Sequence, residues 1–324
     1  MATGPSFSVV IAAYQAAAFI GDAIESALTQ DPAPFEVIVG DDGSTDDLMA
    51  ALRPFGDAVR CVRIEHAGEA AAKNAAASSA TGDFLAFLDA DDRYLPGRLR
   101  AMAALASERP ELDVITTDAH LVHDGRIVGR CYGDHHVFAT TDQRSAILRR
   151  NFVFGLAAVR RNRFEAVGGF DPAVQYTTDW DLWIRLVFTG STIGLVPEPL
   201  AEYRLHEDSM SAKRVAMSRG RLDTIDRAAA RDDLTAAERD VVEHTRANER
   251  AVLSVAEFRA AVLEGTPADA RRAAWKLAVG PSQPAATRAL ALAAAVAPTP
   301  IARRIRRRNE GTFLSVGDRR LPRA

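Results

Sequence analysis

The chain has 324 residues, 48% of them hydrophobic, and a net charge of −3. That is enough for one large core or two ordinary ones, and it offers no general positive charge for nucleic acid. Two cysteines, Cys61 and Cys131, make no disulfide framework and fit a reducing compartment. The opening MATGPSFSVVIAAY lacks the basic start and long apolar core of a signal peptide. No run reaches the ~18 apolar residues of a spanning helix. A cytoplasmic location is therefore expected.

SVVIAAY, from Ser8 to Tyr14, reads as a buried strand, and AFIGDAIESALTQ follows with helical spacing. FEVIVGDDGSTDD gives a second buried strand that ends at Asp41-Asp42-Gly43. Ser44 reads as an N-cap there, with Asp47 three residues on. VRCVRIEH is a third strand, GEAAAKNAAASSATG a helix stopped near Gly82, and FLAFLD a fourth strand. Alternating strands and helices over the first ~100 residues argue for a parallel, doubly wound sheet. Ligands bind such sheets at the carboxyl ends of strands, where Asp41, Asp42, Asp89 and Asp91 all fall.

The middle is more mixed. Asp124-Gly125 is a hairpin signal, and VFGLAAVRRNRFEAVGGFD gives a strand, a short helix and a Gly-Gly turn. TTDWDLWIRLVFTG is an amphipathic helix, and STIGLVPEPLAEYRLH is strand-like to His206. The last ~110 residues are rich in Ala and Arg, with no clear strand. Thr235 to Glu238 is a capping-box pattern opening a helix that can run to Gly265, and Pro267 to Gly280 bracket another. The domains expected are 1–212, split near 105 into 1–105 and 106–212, and a helical region over 213–324.

Asp89 and Asp91 stand two apart at the end of a buried strand, with Asp92 beside them. Two carboxylates so spaced can share one divalent cation, with water and substrate phosphate filling its remaining positions.

The chain resembles the family 2 glycosyltransferases. The matching stretches are SVVIAAYQAAAFIGDAIESALTQ, FEVIVGDDGSTDD, GEAAAKNAAASSATGDFLAFLDADDRYLPGRL, VGGFDP, TDWDLWIRL and YRLHEDSMS. They run in family order over residues 6–211. The resemblance implies an α/β GT-A-like, doubly wound mixed sheet: a Rossmann-like nucleotide-binding half, an acceptor half and a C-terminal helical appendage. It also implies an inverting transferase that needs Mn²⁺ or Mg²⁺ and moves a sugar from a nucleotide-diphosphate sugar to a hydroxyl. UDP and dTDP are the donor nucleotides it favours, and a glycan, a lipid-linked saccharide or a small molecule is the acceptor.

The resemblance also implies roles. Ala12 and Tyr14 end the first strand beside the nucleotide, and Asp41 and Asp42 reach its base or ribose. Gly68, Lys73 and Asn74 match a glycine followed by Arg-Asn. Lysine in place of arginine keeps the charge and loses the fork. Asp91 is the more direct metal ligand, Asp89 reaches the ribose, sugar or metal, and His206 completes the metal shell or meets the diphosphate. Arg204 is a further diphosphate partner. In TDWDLW, Thr178 stands where the family has Glu. Asp179 aligns with the base, and Asp181 is its alternative. The arginines from Arg303 to Arg308 suggest peripheral contact with an anionic membrane on its inner face. A sugar-phosphate nucleotidyltransferase and a non-catalytic nucleotide-sugar-binding module are the competing readings. The first needs a glycine-rich basic loop after the first strand, where Ala12-Ala13-Tyr14-Gln15 stands.

Overall fold

The computed structural model describes residues 4–133, 136–206, 213–279, 285–309, 312–316 and 319–322; the side chains of residues 285, 304 and 306 onward lie outside that description. The chain divides into two compact units, Met1–Leu205 and His206–Ala324.

The first unit begins with β1 (Phe7–Ala13), α1 (Ile20–Leu28), β2 (Glu36–Asp41), α2 (Leu48–Leu52), β3 (Val59–Arg63), α3 (Glu69–Ser78) and β4 (Phe84–Asp89). It continues with β5 (Arg93–Tyr94), α4 (Arg98–Glu108), β6 (Leu112–His123), β7 (Arg126–Arg130) and α5 (Gln143–Arg149). It closes with β8 (Ala158–Arg160), α6 (Arg161–Ala166), α7 (Thr178–Phe188) and β9 (Thr192–Arg204).

The sheet order is β3-β2-β1-β4-β8-β6-β9-β5, with β7 paired to β6. The first four strands are parallel. β8 runs antiparallel to both β4 and β6, while β6 and β9 are parallel. This is the mixed sheet that the family resemblance implies, with the parallel half that the strand–helix alternation predicts. Phe84 to Leu88 are fully buried, as a central strand covered on both faces must be. The hairpin between β6 and β7 turns at Asp124 and Gly125, both with positive φ, as that dipeptide signals.

Register brings the strand ends together. Ala12 pairs with Gly40 on one side and Asp89 on the other, and Ala13 pairs with Asp41. Gly40 lets α3 lie directly on β2, since a Cβ there would sit 2.2 Å from the Ala72 carbonyl oxygen. That close approach sets Lys73, the next residue, against the end of β4.

One local expectation is corrected. The helix after β2 starts at Leu48, with Asp47 in the capping position. Ser44 does not cap it, because its hydroxyl accepts the Gln15 N–H at 3.1 Å.

The second unit holds α8 (Arg214–Ala229), α9 (Ala236–Glu264), α10 (Pro267–Val279), α11 (Ala285–Val296) and α12 (Pro298–Asn309). The Thr235–Glu238 capping box forms as the sequence predicts. Phe258, Val262, Ala274, Leu277, Ala291, Ala294 and Ile305 make its core. The expectation of no strand here is corrected by an antiparallel pair, β10 (Thr312–Val316) and β11 (Arg319–Pro322). Gly317-Asp318 between them is a turn signal that the Ala- and Arg-rich composition masked.

Candidate active site

The loop after β2 is held by its own acids. Asp41 is fully buried; its Oδ1 accepts the Ser44 N–H at 2.8 Å, and its Oδ2 lies 3.1 Å from Arg63 Nη1. Asp42 accepts from the Ala67 N–H at 2.8 Å and from the Gly68 N–H at 3.0 Å. Its Oδ2 also meets His66 Nδ1 at 2.9 Å. Asp42 therefore anchors the start of α3, and Gly68 gives its N–H to that anchor. The His66 ring stacks on the half-exposed Tyr14 ring at 4.3 Å. Ala12, Tyr14, Asp41, Asp42 and Gly68 thus line one edge of the sheet, with Tyr14 presenting an open aromatic face.

Lys73 is not a solvated helix lysine. It is 5% exposed, with its Nζ bonded to Glu69 and 2.9 Å from Asp89 Oδ1. Burial works against its charge, but Asp89 and Glu69 outweigh burial and hold the ammonium above the usual lysine range. Asn74 faces elsewhere. Its Nδ2 donates to the Phe170 carbonyl at 2.7 Å, and its Oδ1 accepts the Phe170 N–H at 2.9 Å. Through both ends of its amide, Asn74 fastens the Gly168-Gly169-Phe170 turn.

Asp89 and Asp91 are half-buried on one turn, and Asp92 beneath them is fully buried. Asp92 Oδ1 accepts the Arg204 N–H at 2.8 Å, and its Oδ2 has no hydrogen bond. Burial first, then Asp91 and Asp89, push the Asp92 carboxyl well above its usual range. Arg204 donates from Nε to the Asp91 carbonyl, and its Nη1 lies 3.0 Å from Asp22. It staples the acidic turn through Nε and Nη1, while its Nη2 has no hydrogen bond.

Among the described residues, no three His, Cys, Asp or Glu side chains converge into a preformed metal cage. The turn still fits a hard divalent cation. Asp89 and Asp91 offer the one or two carboxylates that Mg²⁺ takes alongside water and phosphate. The crowding of charge that lifts Asp92 is what a cation there would relieve. His206 is the first residue of the second unit and sits just past β9. The rest of its motif, residues 207–211, lies outside the described residues.

Asp179 sits in the first turn of α7. Its Oδ1 accepts the Trp180 N–H at 2.7 Å and its Oδ2 accepts from Asn151 Nδ2 at 2.9 Å. Burial pushes its carboxyl up to about 6, partly countered by the Trp180 N–H and by Lys73. The influence of Lys73 and Glu69 places Asp179 in the same electrostatic neighbourhood as the acidic turn. Asp181 differs: its Oδ2 is 2.8 Å from Arg185 Nε, and Arg185 also donates to the Val167 carbonyl at 2.8 Å. Asp181 is an ion-pair partner that ties α7 to the Gly-Gly turn. The Trp180 indole donates to the Ile147 carbonyl at 2.7 Å and is packing.

Sequence reasoning missed Asn151, Glu69 and Arg98. Glu69 stands four before Lys73 on one helix, a readable pair. Asn151 lies in RRNFVF, with no local signal. Arg98 is fully buried, bonded to Thr117 and the Leu156 carbonyl, and faces the Tyr94 ring at 4.6 Å. Its sequence position reads as solvent-facing.

Comparison with known proteins fits this geometry. The family model for glycosyl transferase family 2 matches residues 8–168. The succinoglycan biosynthesis protein ExoO of Rhizobium meliloti is 30% identical over 240 residues, covering 71% of this chain and 67% of that protein. The glycosyltransferase TuaG of Bacillus subtilis is 29% identical over 215 residues, covering 65% and 83%. Hyaluronan synthase of Pasteurella multocida is 27% identical, and the match spans only 22% of its length. Among solved structures, Staphylococcus aureus TarS 1-349 in complex with UDP-GlcNAc has a TM-score of 0.62 at 18% identity, covering 98% of this chain and 96% of that one. The mannosyltransferase PcManGT of Pyrobaculum calidifontis, in complex with GDP-Man and Mn²⁺, has a TM-score of 0.58 at 21% identity, covering 93% and 83%. The sheet order, the acidic turn after β4 and these matches together make the chain a glycosyltransferase of family 2, with the GT-A-like fold that the resemblance implies and the solved structures share.

Proposed function

We propose that this glycosyltransferase is metal-dependent and inverting. It moves a sugar from a nucleotide-diphosphate sugar to a hydroxyl of a glycan, a lipid-linked saccharide or a small molecule. Cell-surface polysaccharide, glycolipid or glycoside synthesis is the setting that the relatives suggest. UDP and dTDP are the donor nucleotides we favour. The observation that carries the reading is the environment of Asp179: a half-buried carboxyl raised to about 6, held by Asn151 and Trp180 beside Lys73.

A carboxylate titrating near 6 is ionised at neutral pH yet more basic than an ordinary aspartate, as a general base should be. Asp179 accepts the proton of the acceptor hydroxyl. The oxygen so freed attacks the anomeric carbon, and the bond from that carbon to the diphosphate oxygen breaks on the opposite face. Lys73 holds Asp89 in place and lowers the negative charge that the incoming diphosphate meets. A divalent cation held by Asp91 and Asp89 would supply positive charge to the departing diphosphate. Tyr14 offers its open ring to the nucleotide base.

The test is thermal stability with UDP, dTDP, GDP and CDP, with and without Mn²⁺, for wild type and Asp91→Ala. A ligand at about 100 times its dissociation constant adds roughly 2.7 kcal/mol. One nucleotide should raise the melting temperature of wild type only with the cation, and the substitution should abolish the shift. No shift with any nucleotide would overturn the reading.

A further inference from the structure

The second unit carries two matching stripes. Arg271, Trp275 and Val279 recur every four residues on α10, and Arg288, Leu292 and Val296 do the same on α11. A spacing of four keeps each stripe on one side of its helix. Trp275 is 61% exposed, Val279 62%, Leu292 49% and Val296 81%. Large apolar residues exposed in series mark an interaction surface more often than scattered ones do.

Both stripes belong to one face. Trp275, Val279, Leu292 and Val296 each follow by one place a residue of the helical core or packed against it: Ala274, Ala278, Ala291 and Ala295. α10 and α11 are consecutive, pack together and are joined by residues 280–284, which makes them antiparallel neighbours. One residue is a turn of about 100°. Viewed from one end, that turn runs in opposite senses on antiparallel helices. The two stripes therefore emerge on the same side of the pair.

The charge on α10 and α11 is mostly positive. Residues 267–296 hold four Arg and Lys against one Asp, in a chain whose net charge is −3. Of these, Lys276 lies 3.6 Å from Glu257 on α9 and Arg272 3.4 Å from Asp269. Arg271, Arg272 and Lys276 flank Trp275 and are exposed. We propose that the α10–α11 face docks on an anionic bilayer surface. The four apolar side chains enter the boundary between headgroups and acyl chains, and the basic residues meet lipid phosphates, the pattern of an interfacial amphipathic helix. A second copy of this chain is a poor occupant, because pairing two such faces would bring like charge together. The surface is independent of the transfer chemistry, so either reading can fail without the other.

The test uses the full chain and its own fluorescence. Of the three tryptophans, Trp180 is 3% exposed and Trp183 0%, so Trp275 is the one that senses solvent. The protein is mixed with phosphatidylcholine vesicles, with or without phosphatidylglycerol. We expect sedimentation with the anionic vesicles, a blue shift of emission, and release at about 0.5 M salt as charge is screened. Trp275→Ala with Val296→Ser should weaken vesicle binding about tenfold at an unchanged melting temperature, since the residues lie on the exposed apolar face that enters the lipid. Trp275→Phe should retain binding and lose the emission shift. Failure to sediment with anionic vesicles would overturn the proposal, as would binding with unchanged Trp275 emission. A blue shift that grows with protein concentration in the absence of vesicles would overturn it in favour of self-association.

Discussion

The backbone N–H of Arg204 donates to the carboxylate of Asp92 at 2.8 Å, across 112 residues of chain. The Arg204 side chain then reaches the Asp91 carbonyl and Asp22 on α1. The end of β9 thereby sets the turn that presents Asp91. Arg204→Ala removes the donor to the Asp91 carbonyl and a positive charge that acts on Asp92. It should lower stability by about 1–3 kcal/mol, the cost of a buried group left without its partner. Arg204→Lys should recover little, because one ammonium cannot replace the fork. Urea midpoints for the three proteins decide this, and equal midpoints would refute the staple.

Asp179 sets a pH dependence. Transfer needs its carboxylate ionised, so kcat should fall as pH drops through about 6. Asp179→Asn should lose about 10²–10⁴-fold in kcat, the usual worth of a general base. Stability runs the other way. A carboxyl raised by burial stabilises the fold while protonated, fully so below about pH 4, and that contribution is lost as pH rises through the folded value. Asparagine cannot ionise, so the variant should gain on wild type between pH 5 and pH 8, in the sense fixed by the value of about 6. Melting curves at both pH values, alongside rates, separate the base from a merely structural acid.

Lys73 holds two acids inside the protein. Lys73→Met leaves Glu69 and Asp89 beside a buried apolar chain. Removing one partner of a buried ion pair costs about 3–5 kcal/mol. The upper part of that range is not expected, because the side chains of Glu69 and Asp89 keep 27% and 33% exposure. Denaturant titration reads the loss, and a change under half a kilocalorie would mean that the pair is idle.

Asn74 and Gly169 form one joint. Gly169 has φ +70, and a Cβ there would lie 2.6 Å from Asn74 Oδ1. Asn74→Ala should cost about 1–3 kcal/mol through its two lost bonds to Phe170. Gly169→Ala should cost at least about 1 kcal/mol, from the left-handed backbone and the contact. In the double variant the costs should sum to less than their total, because the contact vanishes with the Asn74 side chain. Strict additivity would mean that the turn does not depend on Asn74.

Much of the fold is legible because apolar runs and turn residues are local signals. β1, β2 and β4 are largely hydrophobic runs, the last two ending in acids, and the Thr235–Glu238 box, the Asp124-Gly125 hairpin and the Gly-Gly turn each use residues with one dominant local use. The final hairpin was hidden because its short strands lie in an Ala- and Arg-rich context. Lys73, Asn74 and Arg204 share a different difficulty. Each is a polar residue beside a motif, and its neighbours in space are distant in sequence: Asp89, Phe170 and Asp92.

The sequence by itself determined the strand–helix alternation, the family and the set of acids at the strand ends, because periodicity and motif order are properties of the linear chain. Only the tertiary structure decided what each acid does. The buried Asp181 is paired with Arg185, whereas the half-buried Asp179, two residues away, is held by Asn151 and carries a raised carboxyl. The two look alike in TDWDLW. Burial and partners set a carboxylate's proton affinity, and both are contributed by residues that the motif does not contain.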